Sequence, residues 1–371
     1  MMRVIVTGGG TGGHIYPALA IADTLRSRDK DGHILYVGTA GGLESRLVPE
    51  RGYRFRAIRV KGFRRKLSID TVKSTVELFK GLIDAGKVIR EFKPDVVVGT
   101  GGYVAGPVLM MAHLRGIPTV IHEQNVLPGA TNRILGRFVD AVAVSFEEAV
   151  EYFGRKDRVF VTGNPIRKEI LTGSKAEALK EFGFVSGQPV VLSFGGSKGS
   201  VKLNRAMAEV IARLSAEGGF QLLHTTGEDH YSAFLEDLEK RGVKVEASKS
   251  IKVLPYLHRM HQGLAAADLV ITSAGAITLA EITAVGVPAL LVPKSYVAGN
   301  HQEYNARALE KKGAAVVLTE KELDGAALYN IVSELVGSRQ RLQSMKKASR
   351  MLGKIDAAEK ICDIIVKTVN R

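Results

Sequence analysis

Val4-Ile5-Val6-Thr7-Gly8-Gly9-Gly10-Thr11-Gly12-Gly13-His14 opens the chain with a β-branched run, a glycine-dense turn and the start of an amphipathic stretch. β-Branched residues suit a pleated strand, and glycine permits a tight strand-to-helix turn. The pattern returns at Val190-Val191-Leu192-Ser193-Phe194-Gly195-Gly196-Ser197-Lys198-Gly199-Ser200. A second echo pairs Asp95-Val96-Val97-Val98, leading to Gly116-Ile117-Pro118, with Asp268-Leu269-Val270-Ile271, leading to Gly286-Val287-Pro288. Each half restarts the strand–turn–helix series of parallel α/β units. The expected fold is therefore α/β, two Rossmann-like doubly wound domains facing across a cleft, with ligands at the carboxyl ends of the strands.

Working outward, the first half offers strands at 3–7, 33–38, 95–99, 118–122, 141–145 and 158–162, with helical patterns at 14–27, 70–91, 103–115 and 129–138. The second half offers strands at 189–194, 220–225, 243–247, 268–272, 288–292 and 314–318. A length of 371 residues suits two domains. Their expected bounds are 1–163 and 164–355, with a helix in 356–371 packing back toward the N-terminal domain.

The composition, 45% hydrophobic and 24% charged, is that of a globular chain. The lone Cys362 has no internal partner, which points to a reducing compartment. The N-terminus runs straight into a strand and lacks the apolar core of a secretory signal. Val96–Leu114 is uncharged and near bilayer length, yet its four glycines and Pro107 suit a buried strand and loop, so the chain reads as soluble. The formal net charge of +14 favours polyanionic partners. The sequence contains no Trp and no aromatic–basic interleave of the RNA-binding type, which argues against nucleic acid.

The first glycine loop satisfies G-x-G-x-x-G, whose backbone N–H groups and helix N-terminus suit an oxyanion. A tight turn needs glycine for its own sake, however. A dinucleotide also requires an acid at the end of the second strand, and Val37-Gly38-Thr39-Ala40-Gly41-Gly42 has none before Glu44. Neither glycine loop ends in Gly-Lys-Ser/Thr, which excludes a P-loop. His14 stands where an imidazole could take a proton from an attacking hydroxyl, or merely hydrogen-bond a nearby loop. His122-Glu123-Gln124-Asn125 ends an apolar strand, where α/β domains display functional groups, but alternating faces make it a poor metal site. Asp29-Lys30-Asp31 has Asp-x-Asp spacing and reads as a solvated turn.

In the second half, Ser273-Ala274-Gly275-Ala276-Ile277-Thr278-Leu279-Ala280-Glu281 lets small residues open a helix whose free N–H groups could meet a diphosphate. Glu281 lies close enough to accept from a ribose, and is equally plausible as an exposed helix acid. Asn300-His301-Gln302-Glu303 starts another helix at the same crevice. Between Arg59 and Arg90, Phe63 sits among Lys61, Arg64, Arg65 and Lys66, and Lys73, Lys80 and Lys87 recur every seven residues beside Val72, Val76, Phe79, Leu82 and Ile83. This face suits an anionic membrane, and a solvated helix packed on its sheet explains the period equally well.

Seven motifs occur together in order: Gly9–His14, Gly101–Pro107, His122–Asn125, Gly163-Asn164-Pro165-Ile166-Arg167, Gly195–Gly199, Ser273–Thr278 with Glu281, and Gln302. In this set the chain resembles, over nearly its whole length, the MurG family of undecaprenyl-diphospho-muramoylpentapeptide β-N-acetylglucosaminyltransferases, in glycosyltransferase family 28. The resemblance implies a glycosyltransferase-B fold and inverting transfer of N-acetylglucosamine from UDP-GlcNAc to undecaprenyl-diphospho-MurNAc-pentapeptide, lipid I to lipid II. It implies that Ser197 and the helix start Ala276, Ile277, Thr278, Leu279 and Ala280 meet the diphosphate. Glu281 would bind the ribose, the backbone at Leu257 the uracil, and Gln302 the sugar hydroxyls. Asn125, Arg167, Thr11, Gly12 and Gly13 are counted with the donor site. The first glycine loop as a whole, with His14, Gly102 and Tyr103, would serve the lipid-diphosphate acceptor. Phe63, Arg64, Arg65, Lys66, Lys73, Phe79 and Lys80 would meet the membrane.

His14 is the implied candidate base, with Glu123 the weaker one. No cofactor and no tightly bound metal are expected, UDP-GlcNAc being a substrate. Other implied partners are an anionic membrane surface, approached peripherally from the cytoplasmic face, and other cell-wall synthesis proteins. Lys198 departs from the Gln common in the family, and Phe63 and Phe79 stand where other members carry tryptophan anchors. Two alternatives remain: a UDP-GlcNAc 2-epimerase-like enzyme of the same fold, and a non-catalytic nucleotide- or lipid-binding module.

Overall fold

A computed structural model describes residues 1–61 and 69–370, with backbone alone for 69–75 and 298. Among them, seven strands form one sheet: β1 (Arg3–Thr7), β2 (His33–Gly38), β3 (Arg54–Ala57), β4 (Val96–Gly99), β5 (Thr119–Glu123), β6 (Ala141–Val144) and β7 (Val159–Val161). Their order is β3-β2-β1-β4-β5-β6-β7. Six more form a second sheet: β8 (Val190–Phe194), β9 (Gln221–Thr225), β10 (Ile251–Leu254), β11 (Leu269–Thr272), β12 (Ala289–Leu291) and β13 (Ala315–Val317). Their order is β10-β9-β8-β11-β12-β13. Every pairing is parallel. In each sheet the strand order reverses beside the first strand of that half, β1 or β8. The two glycine loops therefore leave from topological switch points, where open α/β sheets bind ligands.

The central strands are apolar on both faces because helices cover both. In the first sheet Ile5, Val97 and Ile121 enter one core, and Val4, Val6, Val98 and Val120 enter the other. The chain divides into two units, Met1–Ile166 with Lys354–Arg371, and Arg167–Gly353. The helix Ala357–Val369 belongs to the first unit. Its Ile361, Cys362 and Ile365 are buried with Ile15 and Leu19 of the helix Gly12–Arg28. Sequestering the two isoleucines contributes on the order of several kcal/mol. Arg28 adds an exposed clasp, Nε to Glu359 Oε2 at 2.7 Å and Nη1 to Asp363 Oδ1 at 2.6 Å. Burial pushes the Cys362 thiol up to about 12, which suits a packing role.

Two strands differ from expectation. β3 was not anticipated, because Arg54-Phe55-Arg56-Ala57 is an edge strand whose arginines face solvent and break the apolar run. The strand expected at 243–247 is a loop with a short 3-10 turn, and its place beside β9 is taken by β10. Val243 still enters the core, which explains the misleading alternation. Ser248 ends the turn, its Oγ accepting from the N–H of Ser250 and Ile251.

The apolar stretch 96–114 is divided between β4, a glycine loop and the helix Ala105–His113. Among the described residues no helix is long and apolar enough to cross a membrane.

Candidate active site

In the first unit two loops meet beyond β1 and β4. Gly102 has φ +81° and a Cβ there would stand 2.3 Å from the Gly9 carbonyl oxygen, so only glycine lets the loops close. The helix Gly12–Arg28 starts at Thr11 with no side-chain cap and no acid in its first turn. Among the described residues the N–H groups of Gly12 and Gly13 make no hydrogen bond, which leaves an electropositive terminus. Glu44, fully buried, is turned inward onto this loop, accepting from the Thr39 backbone and hydroxyl at 3.0 and 2.7 Å and from Gly10 N–H at 3.3 Å. The acid absent from the end of β2 is thus replaced by an internal brace for the glycine loop. Tyr103 is half-buried over Gly10.

His14 is half-buried, its Nδ1 3.0 Å from Thr100 O and 3.3 Å from Gln124 Oε1. Its Nε2 has no protein partner among the described residues and keeps its lone pair available. The Thr100 hydroxyl donates to the His14 carbonyl at 2.7 Å, anchoring the residue from below.

Glu123 is buried, and its carboxylate accepts from Asn125 N and Nδ2 at 2.9 and 3.2 Å, Gly129 N at 3.1 Å and Asn132 Nδ2 at 2.8 Å. Four donors occupy the acceptor capacity of one carboxylate. Between the two base candidates, His14 is the one with an open proton-accepting atom. Asn132, which no sequence motif flagged, joins the helix Ala130–Leu135 to this site, and its buried Oδ1 has no partner among the described residues.

In the second unit the loop after β8 is set by Gly199, at φ +74°, whose Cβ would stand 1.9 Å from Thr226 O. Ser197 and Lys198 are exposed at its tip. Lys294 Nζ donates to Gly199 O at 3.0 Å, and its backbone N–H donates to Gln302 Oε1 at 2.9 Å. Lys294 thus links the loop to the helix His301–Lys311, a role the sequence did not announce.

The helix Ala276–Val285 starts at Gly275, again without a side-chain cap or a first-turn acid. Among the described residues the N–H groups of Ala276, Ile277 and Thr278 make no hydrogen bond. An uncapped terminus of small residues is suited to a phosphate. Leu279, one turn in, is buried beneath it, and Ala280 is half-buried. Leu257 buries its side chain over Gly263, while its peptide N–H and C=O make no hydrogen bond among the described residues.

Glu281 is buried and paired with Arg167, Nε to Oε1 at 2.8 Å and Nη2 to Oε2 at 3.2 Å. Burial raises the carboxyl above its ordinary range, and the guanidinium draws it back. Two bonds to arginine leave lone pairs on each oxygen for another donor.

The helix Ile69–Phe92 exposes Val76, Phe79 and Ile83, spaced to share one face. Lys80 lies beside them, paired with Glu77 at 2.9 Å. Phe63, Arg64, Arg65 and Lys66 lie outside the described residues, as does the side chain of Lys73. Asp29 is a structural turn residue, its Oδ2 accepting from Met2 N at 2.8 Å. Among the described residues no group of three or more His, Cys, Asp or Glu could hold a metal ion.

Comparison with known proteins gives a consistent picture. Residues 4–144 match the glycosyltransferase family 28 N-terminal domain, and residues 190–361 match its C-terminal domain. The UDP-N-acetylglucosamine–N-acetylmuramyl-(pentapeptide) pyrophosphoryl-undecaprenol N-acetylglucosamine transferase of Thermoanaerobacter sp. (strain X514) is 51% identical, across 98% of this chain and 99% of its own. The enzyme of that name from Desulforamulus reducens is 46% identical across all of both chains. The crystal structure of Acinetobacter baumannii MurG superposes with a TM-score of 0.81 at 28% identity, covering 99% of this chain and 100% of that one. A UDP complex of S. aureus MnaA superposes at 0.71 over 100% and 97% of the two chains, but its 15% identity makes it a likeness of fold alone.

Proposed function

This chain belongs to glycosyltransferase family 28, and from that premise we propose that it transfers N-acetylglucosamine from UDP-GlcNAc to the muramoyl sugar of undecaprenyl-diphospho-MurNAc-pentapeptide, converting lipid I to lipid II. Its fold is glycosyltransferase-B. The observation that carries the chemistry is His14, an imidazole at a switch point with Nδ1 engaged and Nε2 open. The acceptor hydroxyl attacks the anomeric carbon from the face opposite UDP, and His14 Nε2 takes its proton. The C–O bond to the diphosphate breaks through an oxocarbenium-like state, inverting α to β.

The leaving diphosphate gathers negative charge. The free N–H groups at Ala276, Ile277 and Thr278, with the Ser197 hydroxyl, are the groups proposed to receive it. Glu281 would accept from the ribose hydroxyls, with Arg167 drawing its carboxyl back against the effect of burial, and Gln302 would address the sugar. The open peptide at Leu257 supplies one donor and one acceptor, as a uracil edge requires. Asn125, Thr11, Gly12 and Gly13 complete the proposed donor contacts. With dipoles and hydrogen bonds in these positions, the reaction is proposed to need no metal.

The exposed stripe Val76, Phe79 and Ile83 beside Lys80 supports peripheral attachment to the anionic cytoplasmic leaflet, where the lipid acceptor resides. Other cell-wall synthesis proteins are proposed as further partners at that surface.

The test is transfer of label from UDP-N-acetylglucosamine into a muramoyl-pentapeptide lipid diphosphate, with and without EDTA. Transfer that survives EDTA supports both the reaction and its metal independence. Conversion of the donor to its 2-epimer without transfer would favour the epimerase alternative. Donor binding with neither product would favour a binding module.

A further inference from the structure

We propose that Gln124 is a positioning residue that sets the tautomer of His14, holding the ring proton on Nδ1 so that Nε2 faces the acceptor hydroxyl as the proton-accepting atom. The proposal rests on the reading of His14 as the base. It starts from the two neighbours of His14 Nδ1, Thr100 O at 3.0 Å and Gln124 Oε1 at 3.3 Å. A carbonyl oxygen can only accept, so Thr100 O already asks Nδ1 to donate, and Gln124 reinforces that demand when its amide oxygen faces His14.

That orientation is forced by the other end of the amide. Gln124 Nε2 lies 2.7 Å from Thr100 O and 3.2 Å from His122 O, both of which demand a donor. A flipped amide would set its oxygen against two carbonyl oxygens in a site with Gln124 2% exposed. The next link agrees. His122 Nε2 is 3.1 Å from Gly163 O, so it carries the proton, and His122 Nδ1 and O, both 3.2 Å from Gln124 Nε2, share the second of its two hydrogens. Ser145 Oγ, 3.2 Å from His122 Nε2, donates onward to Glu123 O at 3.0 Å.

The chain of bonds therefore has one sense. His122 donates to Gly163, Gln124 donates to His122, His14 donates to Gln124, and His14 Nε2 is left with its lone pair. Burial drives the His122 imidazole down to about 4, so it stays neutral near pH 7 and does not reverse the sequence. The other titratable groups packed around the two loops are Glu123, held by its four donors, Glu44, held by Thr39 and Gly10, and Tyr103. As His14 gains its proton, Gln124 Oε1 and Thr100 O face the cation as dipoles that cannot themselves take the proton. A carboxylate in this position is the familiar device in hydrolytic triads; here a buried amide, oriented by a second histidine, serves the same purpose.

The full-length protein labelled with 15N-histidine provides a direct test. Long-range proton–nitrogen spectra, with the His14 signals identified by their loss in His14→Ala, should show His14 protonated at Nδ1 alone. In Gln124→Met that preference should weaken, and kcat should fall roughly tenfold or more with little change in KM for UDP-GlcNAc. The acid limb of the Gln124→Met pH profile should also move toward lower pH, because the Oε1 dipole that favours the imidazolium is gone. A merely structural role would lower folded protein or both kinetic constants together without moving the limb. A proton on Nε2 in the wild type, or an acid limb unmoved in Gln124→Met, would overturn the proposal. Full turnover in His14→Ala, with the Nδ1–H tautomer present in the wild type and weakened in Gln124→Met, would instead remove the base role and leave the tautomer control standing.

Discussion

Arg167 and Glu281, 114 positions apart, form a two-point ion pair within the second unit in which the acid is almost fully enclosed and the arginine is partly open to solvent. The asymmetry decides what each substitution does. Glu281→Ala leaves a guanidinium that water can reach, whereas Arg167→Ala leaves a buried carboxylate without a counter-charge.

Arg167→Ala is therefore expected to be the more destabilising change, by about 1–3 kcal/mol, the lower end reflecting the exposure of the arginine. Burial raises the Glu281 carboxyl, and losing Arg167 raises it further. A carboxyl raised in the folded state is tolerated best when protonated, so the deficit should be largest at neutral pH and shrink as pH falls through the carboxylate range. Urea titrations of both variants at several pH values check this, and a deficit that grows on acidification would contradict it.

His122 and His224 should make the fold acid-sensitive. Burial lowers their imidazoles to about 4 and about 3. Below pH 6.5 the unfolded chain binds protons that the folded chain refuses, so stability is full above that value and declines toward pH 4. Each histidine contributes on the order of a few kcal/mol to the decline. His224→Leu should flatten part of this slope in denaturant titrations across the range.

Gly102→Ala places a methyl group 2.3 Å from the Gly9 carbonyl oxygen at a φ of +81°. The two loops around His14 must separate, and transfer should fall by at least about tenfold, as a shift near 1 Å at a reacting group does. The donor residues of the second unit are untouched, so UDP binding measured by calorimetry should persist. Loss of both together would show that Gly102 matters to folding as a whole.

Replacing Phe79 and Ile83 by serine should weaken binding to vesicles rich in anionic lipid by roughly thirtyfold, since each side chain offers on the order of 1 kcal/mol of partial burial. Turnover of a water-soluble acceptor analogue should be unchanged. Vesicle sedimentation and soluble-acceptor kinetics on the same preparation separate the two effects, and unaltered sedimentation would remove this stripe from the membrane surface.

Much of the fold was readable along the chain because parallel strands buried on both faces require continuous apolar runs, and β1, β4, β8 and β11 have them. β3 was missed because an edge strand shares only one ladder and tolerates arginine. The expected strand at 243–247 failed because apolar alternation also arises where a loop dips Val243 into the core. The glycine loops, His14, Glu281 and the helix start at Ala276 were visible as residue types at strand ends, where the α/β rule puts function.

Local order and residue type thus suffice for the α/β class, the doubled architecture and the places where ligands gather, since period, turn chemistry and glycine act over a few residues. Partnership does not follow from them. That Glu281 meets Arg167, that Glu44 turns inward onto the glycine loop, that Glu123 is saturated by Asn132 and its neighbours, and that Gln124 faces His14 across 110 positions all depend on which strands lie side by side. Hydrogen bonds act at about 3 Å, and only the folded sheet brings such distant residues within that reach.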